Sequence, residues 1–391
     1  MYYRHPYTFN TTNNMPQPII ESFTDHDGTL KFTVKQINVS LANAVRRTIL
    51  SDIPTYCFRT LPYAENRVQI TTNTTRLNNE IIKQRMGCIP IHLKANDPDF
   101  ENFNVEDYRV VLDVQNTGTA NQYVTTKDFR MVNVKTGKEL SESVVRRIFP
   151  PDAITGGYIL IARLIPRLTQ FVEGERLALT AEIGVGTARM DGMYNVVSTC
   201  AYCATPNVEE ADKVWAERAK VLEREGNDAA TIAFEKKNWF AMEALRYTHS
   251  DSFDFVIESV GVYSNTEIVT KACMLLIEKC NKLVSDIQNA SGDVDVVPSE
   301  TTLSNGYDIT IQNEDYTLGK CIEHFLHQNH YLGSKTVSFC GFRKNHPHDT
   351  HSMIRIAFHA PTDVDIVHTY LIAAARDSAA VFQSLISQIH H

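Results

Sequence analysis

One short pattern occurs twice in this chain, and two copies of one folding unit constrain the architecture more than any composition figure. Ser40-Leu41-Ala42-Asn43-Ala44-Val45-Arg46-Arg47-Thr48-Ile49 lines up with Thr317-Leu318-Gly319-Lys320-Cys321-Ile322-Glu323-His324-Phe325-Leu326. Each copy opens on a hydroxyl side chain able to cap a helix, continues with Leu and a small residue, then carries an apolar stripe. Each follows a short alternating run, Leu30 to Val34 in one and Tyr307 to Ile311 in the other, as a strand would. Two related units in one polypeptide predict two halves that pack on each other.

The first helix is predicted from about Leu41 to Ser51. Leu41, Ala44, Val45, Thr48 and Ile49 share its buried face, while Asn43, Arg46 and Arg47 fall off it. Pro54 disfavours helical geometry at Ile53 and ends the element. From about 60 to 205, short strands and turns take over, with Val110–Val114, Ile159–Ala162 and Leu177–Ala181 as strands. A short helix near 79 to 86 starts at Asn78 and stops at Gly87. Residues 208 to 248 read as charged surface helices split at Gly226-Asn227-Asp228. Their apolar positions are Val214, Ala219, Val221, Leu222, Ile232, Phe234 and Phe240.

Alternation returns in Phe253–Ser259, followed by a capping box, Ser264-Asn265-Thr266-Glu267, at the head of a long helix. Val269, Cys273, Leu276, Cys280, Leu283, Val284 and Ile287 form its seam. A Ser-, Asp-, Thr- and Gly-rich stretch, 289 to 305, reads as a linker. Beyond it come strand 307–312, helix 318–329, strands 336–342 and 352–358, and a final helix capped at Thr362-Asp363-Val364-Asp365 and reaching about Ile389. That helix carries the stripe Val367, Tyr370, Leu371, Ala374, Ser378, Val381, Phe382, Leu385, Ile389.

Composition narrows the function. The 391 residues, 43% hydrophobic and 21% charged, suffice for several cored domains. A formal net charge of -8 weighs against bulk electrostatic binding to nucleic acid. No run of about 18 apolar residues reads as a membrane span. Residues 1 to 18 read as a loosely held polar arm, and the opening lacks the apolar core of a signal peptide. Eight scattered cysteines, several inside helical stripes, fit reduced thiols in a cytosolic or nuclear compartment.

Asn38 to Arg47, followed by Ile53-Pro54, resembles the signature of the alpha-like subunits of multisubunit RNA polymerases: bacterial alpha, archaeal D, and the third-largest subunit of the eukaryotic enzyme. Asn78 to Ile91 looks like the family's second signature, and Phe255 to Gly261 with the helix after it is similar to its closing strand and dimerisation helix. Glu314 to Lys320, Val337 to Phe342 and His346-Pro347 resemble the small L-type partner subunit. The two appear fused, as in polymerases of large cytoplasmic DNA viruses.

The resemblance departs at three places. Lys94 to Phe100 carries no cysteine where the eukaryotic subunit has a zinc loop. The family's His-Ala-Lys-Trp segment stands as Thr187-Ala188-Arg189-Met190. The chain ends on a long helix without the bacterial DNA-binding domain.

The resemblance implies an α+β protein: two alpha-subunit-type dimerisation units, strand-helix-strand-strand-helix, packed together with a β-rich domain inserted in the first. The division expected is 1–60 and 251–288 for the first unit, 61–205 for the insert, 206–250 for a charged helical insertion, 289–305 for the linker and 306–391 for the second unit.

It further implies a non-catalytic platform docking the second-largest and largest polymerase subunits, and a small zinc-bearing assembly subunit. DNA contact would be indirect, with no cofactor and no membrane. Infected-cell cytoplasm and virion are the expected locations, or the nucleus. Asn38, Asn43, Arg46, Arg47, Glu80 and Arg85 are the candidate partner-binding residues. Leu41, Val45, Leu276, Leu283, Leu318, Phe325, Leu326, Tyr370, Leu371 and Phe382 are the candidate dimerisation residues.

Plainer readings stand beside these. Adjacent arginines often decorate a solvated helix face, and amphipathic helices often serve only an internal core. Cys200-Ala201-Tyr202-Cys203 has thiolate spacing suited to zinc but no second pair, so it reads as two thiols. His324, His327, His330, His346, His348 and His351 lack a carboxylate or cysteine to complete a metal set. Gly184-Val185-Gly186 is too little for a nucleotide site. The rival functions are a metal-dependent module and a free-standing homodimer.

Overall fold

The computed structural model describes residues 17–93, 104–167, 169 and 171–389. The expected arm, up to residue 16, and the cysteine-free stretch Lys94 to Phe100 lie outside the described residues. The chain opens with β1 (Ile19–His26), β2 (Thr29–Lys35) and α1 (Val39–Ser51). Next come β3 (Thr55–Phe58), β4 (Val68–Asn73), α2 (Asn79–Gly87), β5 (Tyr108–Gln115), β6 (Gln122–Thr125) and β7 (Arg130–Asn133). These lead to α3 (Glu142–Ile148), β8 (Leu160–Leu164), β9 (Arg176–Gly186) and β10 (Val197–Pro206). Then follow α4 (Val208–Arg224), α5 (Ala229–Ala241), β11 (Thr248–Ser259), α6 (Asn265–Asn289) and β12 (Val294–Pro298). The chain finishes with β13 (Gly306–Gln312), α7 (Tyr316–Leu326), β14 (Val337–Arg343), β15 (His351–Phe358) and α8 (Val364–Ile389).

The described residues divide into two compact units. One takes in those of Met1–Arg46, Ala201–Val256 and Cys273–His391; the other takes in those of Arg47–Cys200 and Ile257–Ala272. Mixed helices and sheets make the chain an α+β protein.

The first unit carries two four-stranded sheets, ordered β1-β2-β11-β10 and β12-β13-β15-β14. Asp27 and Gly28, at φ 51° and 75°, make the tight turn between β1 and β2 that an Asp-Gly pair favours. Across β2 and β11, the Phe32 and Phe255 rings stack at 5.1 Å. The stretch expected to be linker is partly sheet, because β12 pairs antiparallel with β13 from Val294↔Ile311 to Pro298↔Tyr307. Its short alternating run is easily lost among Ser- and Asp-rich flanks.

The helical insertion has a small core of Ala211, Trp215, Trp239 and Ala244, and of the apolar positions noted in the sequence Val221 and Phe234 are exposed. Two large indoles fill the space between α4 and α5, and Val214, Ala219, Leu222, Ile232 and Phe240 pack around them.

In the second unit β9 is the centre, paired with β3, β4 and β5, and β7 extends the sheet beyond β5. Leu177, Leu179, Ala181 and Ile183 of this strand bury one face, while Thr180 is half-buried and Glu182 exposed on the other, as an antiparallel sheet allows. Phe58, Ile82, Met86, Leu112, Met131 and Ile161 belong to the core beside it. Gly87 is the last residue of α2, where a Cβ would lie 2.5 Å from Met193 Sδ. Crowding by side chains, and not a left-handed turn, favours that glycine.

Candidate pairing and docking site

Both copies of the repeat start their helix the same way, two residues earlier than expected. Asn38 Oδ1 accepts from the Ser40 N–H at 2.8 Å, and Asp315 Oδ1 accepts from the Thr317 N–H at 2.8 Å. The caps are Asn38 and Asp315, at matching positions of the repeat; Ser40 and Thr317 are already inside the helix. That use commits the Asn38 side chain to the fold.

Behind the caps, Leu41, Val45, Leu318, Phe325 and Leu326 are all buried, as are Leu276, Leu283, Leu371 and Phe382. Tyr370 differs. It is half-buried, stacks on His330 with ring centroids 3.5 Å apart, and shares a hydroxyl hydrogen bond with Thr336. The backbone explains this: α7 ends at Leu326 and passes into a π-helical segment, His327–Gly333, which brings His330 to Tyr370.

Head and tail meet at identifiable atoms within the first unit. Cys321 Sγ on α7 lies 3.8 Å from the Ser40 carbonyl oxygen on α1. Lys279 Nζ on α6 lies 3.5 Å from Glu314 Oε2, just before α7. At the far end of α8, the Gln388 carboxamide accepts from the Ile20 N–H at 2.9 Å and donates to the Pro18 carbonyl at 2.6 Å, as a neighbouring strand would. Burial holds the Cys321 thiol well above its ordinary pKa and pushes Cys273 and Cys280 up to about 12. These thiols are packing groups, not nucleophiles.

On the outer face of α1, Arg46 is held in place from one turn earlier. Asn43 Oδ1 accepts from Arg46 Nε at 3.1 Å and Nη2 at 2.8 Å. One side of the guanidinium fork is thereby fixed before any partner arrives. Asn43 and Arg46 are half-buried, as is Arg47, which has interactions of its own.

In the second unit, Glu80 is exposed on α2. Arg85 Nη1 donates to the Ile161 carbonyl at 2.8 Å and so serves the edge of β8. Sequence reasoning missed Asp52 and Arg189. Arg189 donates to Asp52 Oδ1 through Nε at 2.9 Å and Nη2 at 2.7 Å. The departure Thr187-Ala188-Arg189-Met190 thus supplies a cation that grips the residue following α1. The signal was the basic residue at that place in the segment.

The metal candidates separate. Cys200 and Cys203 lie on one extended strand, β10, where residues three apart face opposite sides. Cys200 is buried and Cys203 exposed. Among the described residues, no three His, Cys, Asp or Glu side chains are grouped to hold an ion. His327 stacks on Tyr331, His330 on Tyr370, and His346 Nδ1 accepts from the His348 N–H. No helix among the described residues is long and apolar enough to cross a membrane.

Two repeated units, capped alike and meeting at Ser40–Cys321 and Lys279–Glu314, define a dimerisation protein whose two members share one polypeptide. A family model described as the RNA polymerase Rpb3/Rpb11 dimerisation domain matches residues 31–280, and a second with the same description matches residues 307–388. The chain belongs to this family.

It is similar to human DNA-directed RNA polymerases I and III subunit RPAC1, at 24% identity over 309 residues, covering 68% of this chain and 84% of the relative. It is also similar to DNA-directed RNA polymerase subunit Rpo3 of Pyrococcus horikoshii, at 22% over 281 residues, covering 68% and 96%. Rpo3 of Archaeoglobus fulgidus is 25% identical over 290 residues, covering 69% and 99%.

Proposed function

We propose that the chain is the non-catalytic assembly platform of a viral-type DNA-directed RNA polymerase, with both dimerisation partners in one polypeptide. The observation that carries this reading is the tandem match, residues 31–280 and 307–388, in a chain whose head and tail helices touch at Ser40 and Cys321. The half-buried Arg46 engages the second-largest subunit first. Its planar guanidinium, already oriented by Asn43, suits a paired carboxylate or carbonyl. Asn43 and Arg47 flank Arg46 on α1, Glu80 on α2 is a docking residue of the second unit, and Asn38 and Arg85 act indirectly by holding their elements in shape.

The largest subunit follows, with a small zinc-bearing assembly subunit. The catalytic groups belong to the large subunits, and DNA is met only through the complex. The net charge of -8 accords with that indirect role. The setting is the infected-cell cytoplasm and the virion, or the nucleus. Tethering raises the effective concentration of the two halves to the millimolar range or so, removing one bimolecular step from assembly.

Co-expression with the second-largest subunit tests the reading: a stable complex is expected, and Arg46→Glu should weaken it while leaving the chain folded. A correctly folded chain that binds neither large subunit would sink it. Stoichiometric zinc lost on Cys203→Ser would favour the metal-module rival instead.

A further inference from the structure

Arg189 closes the C-terminal end of α1 with two of its groups. The last carbonyls of a helix find no partner inside it. Here the Arg189 N–H donates to the Ser51 carbonyl at 2.8 Å, while Nε and Nη2 hold Asp52 Oδ1. The turn that carries Arg189 is closed by the Met190 N–H, which donates to the Thr187 carbonyl at 2.9 Å. All of these residues belong to the second unit.

The same oxygen ties this clamp to the helix. Ser51 Oγ lies 2.6 Å from Asp52 Oδ1 and 2.8 Å from the Arg47 carbonyl oxygen, one turn earlier. A hydroxyl has one proton to give, so the two acceptors compete for it. Asp52 is a strong competitor: its side chain is 8% exposed, and its charge lies at a helix end where carbonyl oxygens disfavour an anion. Two N–H groups of Arg189 on Oδ1 offset that charge and leave the Ser51 proton shared with Arg47. With Arg189 gone, the carboxylate would draw off the proton or turn towards water. Either response shifts the turn from Arg47 to Ser51.

We propose that Arg189 is a positioning residue for docking. Through Asp52 and Ser51 it fixes the last turn of α1, and with it the direction from which Arg47 meets a carboxylate or carbonyl of the second-largest subunit. On the platform reading, on which this rests, Arg189 works through Arg47 and makes no contact of its own.

Titration of the full chain with the second-largest subunit tests this in two backgrounds. Arg189→Met keeps the length of the side chain, removes its charge and should weaken binding about tenfold. Asp52→Asn leaves Arg189 in place and should weaken binding as much. In an Arg47→Ala background either change should cost less than about twofold, because the residue they act through is gone. A loss of stability alone would not show that dependence, and the urea midpoint should fall equally with or without Arg47→Ala.

Binding losses of one size in both backgrounds overturn the proposal, because Arg189 would then touch the partner itself. Wild-type binding left unchanged by both Arg189→Met and Asp52→Asn overturns it too. A folded wild-type chain that binds nothing overturns it together with the platform reading, so the wild-type titration tells the two failures apart.

Discussion

At the scale of single residues, Arg46 shows how a side chain can belong to the fold and still face outward. Its one bound edge, to Asn43, lowers the entropy lost when a partner takes the other edge. Arg46→Glu should therefore cost about 2 kcal/mol or more in binding the second-largest subunit. Asn43→Ala should cost about 1 kcal/mol, by releasing the fork without removing it. Titration of the purified subunit against each variant checks both values; equal losses would mean Asn43 is a contact and not a support. Gly319 is a sharper case. A Cβ there would lie 1.9 Å from Phe342 Cε2. Gly319→Ala should thus destabilise the chain by about 1 to 3 kcal/mol through overpacking, read as a lower urea midpoint. The repeat requires only a small residue at this place, and Ala42 fills it in the head; the ring on β14 is what makes the tail's copy glycine.

At the scale of elements, the π-helical segment after α7 should give the chain an acid-sensitive region. Burial lowers the His330 pKa from 6.5 to about 4, and burial with His327 nearby lowers that of His324 as well. As pH falls from 6.5 towards 4, the unfolded chain takes up a proton at residue 330 that the folded chain resists. The stability contributed by this group is therefore complete above the upper value and is lost on acidification. His330→Phe keeps a ring to stack on Tyr370 and should flatten the fall in urea midpoint across that window; an unchanged slope would assign the sensitivity elsewhere. Nothing in the sequence announced this segment, because a helical run that changes from one hydrogen-bond step to another keeps the same composition. The elements read correctly were those whose signals are local. The capping box appears atom for atom, with Ser264 N donating to Glu267 Oε2 at 2.7 Å and Glu267 N to Ser264 Oγ at 3.3 Å. What failed depended on the environment. The Cys200 and Cys203 spacing meant nothing until an extended strand put the thiols on opposite sides, and Trp215 and Trp239 could not be told from surface residues before two helices closed on them.

For the whole molecule, the position of β12 changes what cutting the chain would test. A break between Ser299 and Leu303 leaves β12 attached to the head while it stays paired with β13 of the tail. Such a cut preserves a five-residue ladder as well as the helix contacts at Ser40–Cys321 and Lys279–Glu314. A break between Ala290 and Asp293 returns β12 to the tail and leaves the helices, with the Gln388 grip on β1, to hold the pieces together. The two cuts therefore separate strand from helix contributions. Protease sites inserted at each place should both give fragments that co-elute, since the helix contacts and the Gln388 grip remain after either cut. The later cut should survive more urea before the fragments part. Fragments that separate after the earlier cut but not after the later one would transfer the pairing to β12, and the matched helices would lose their place as the joint between the two halves.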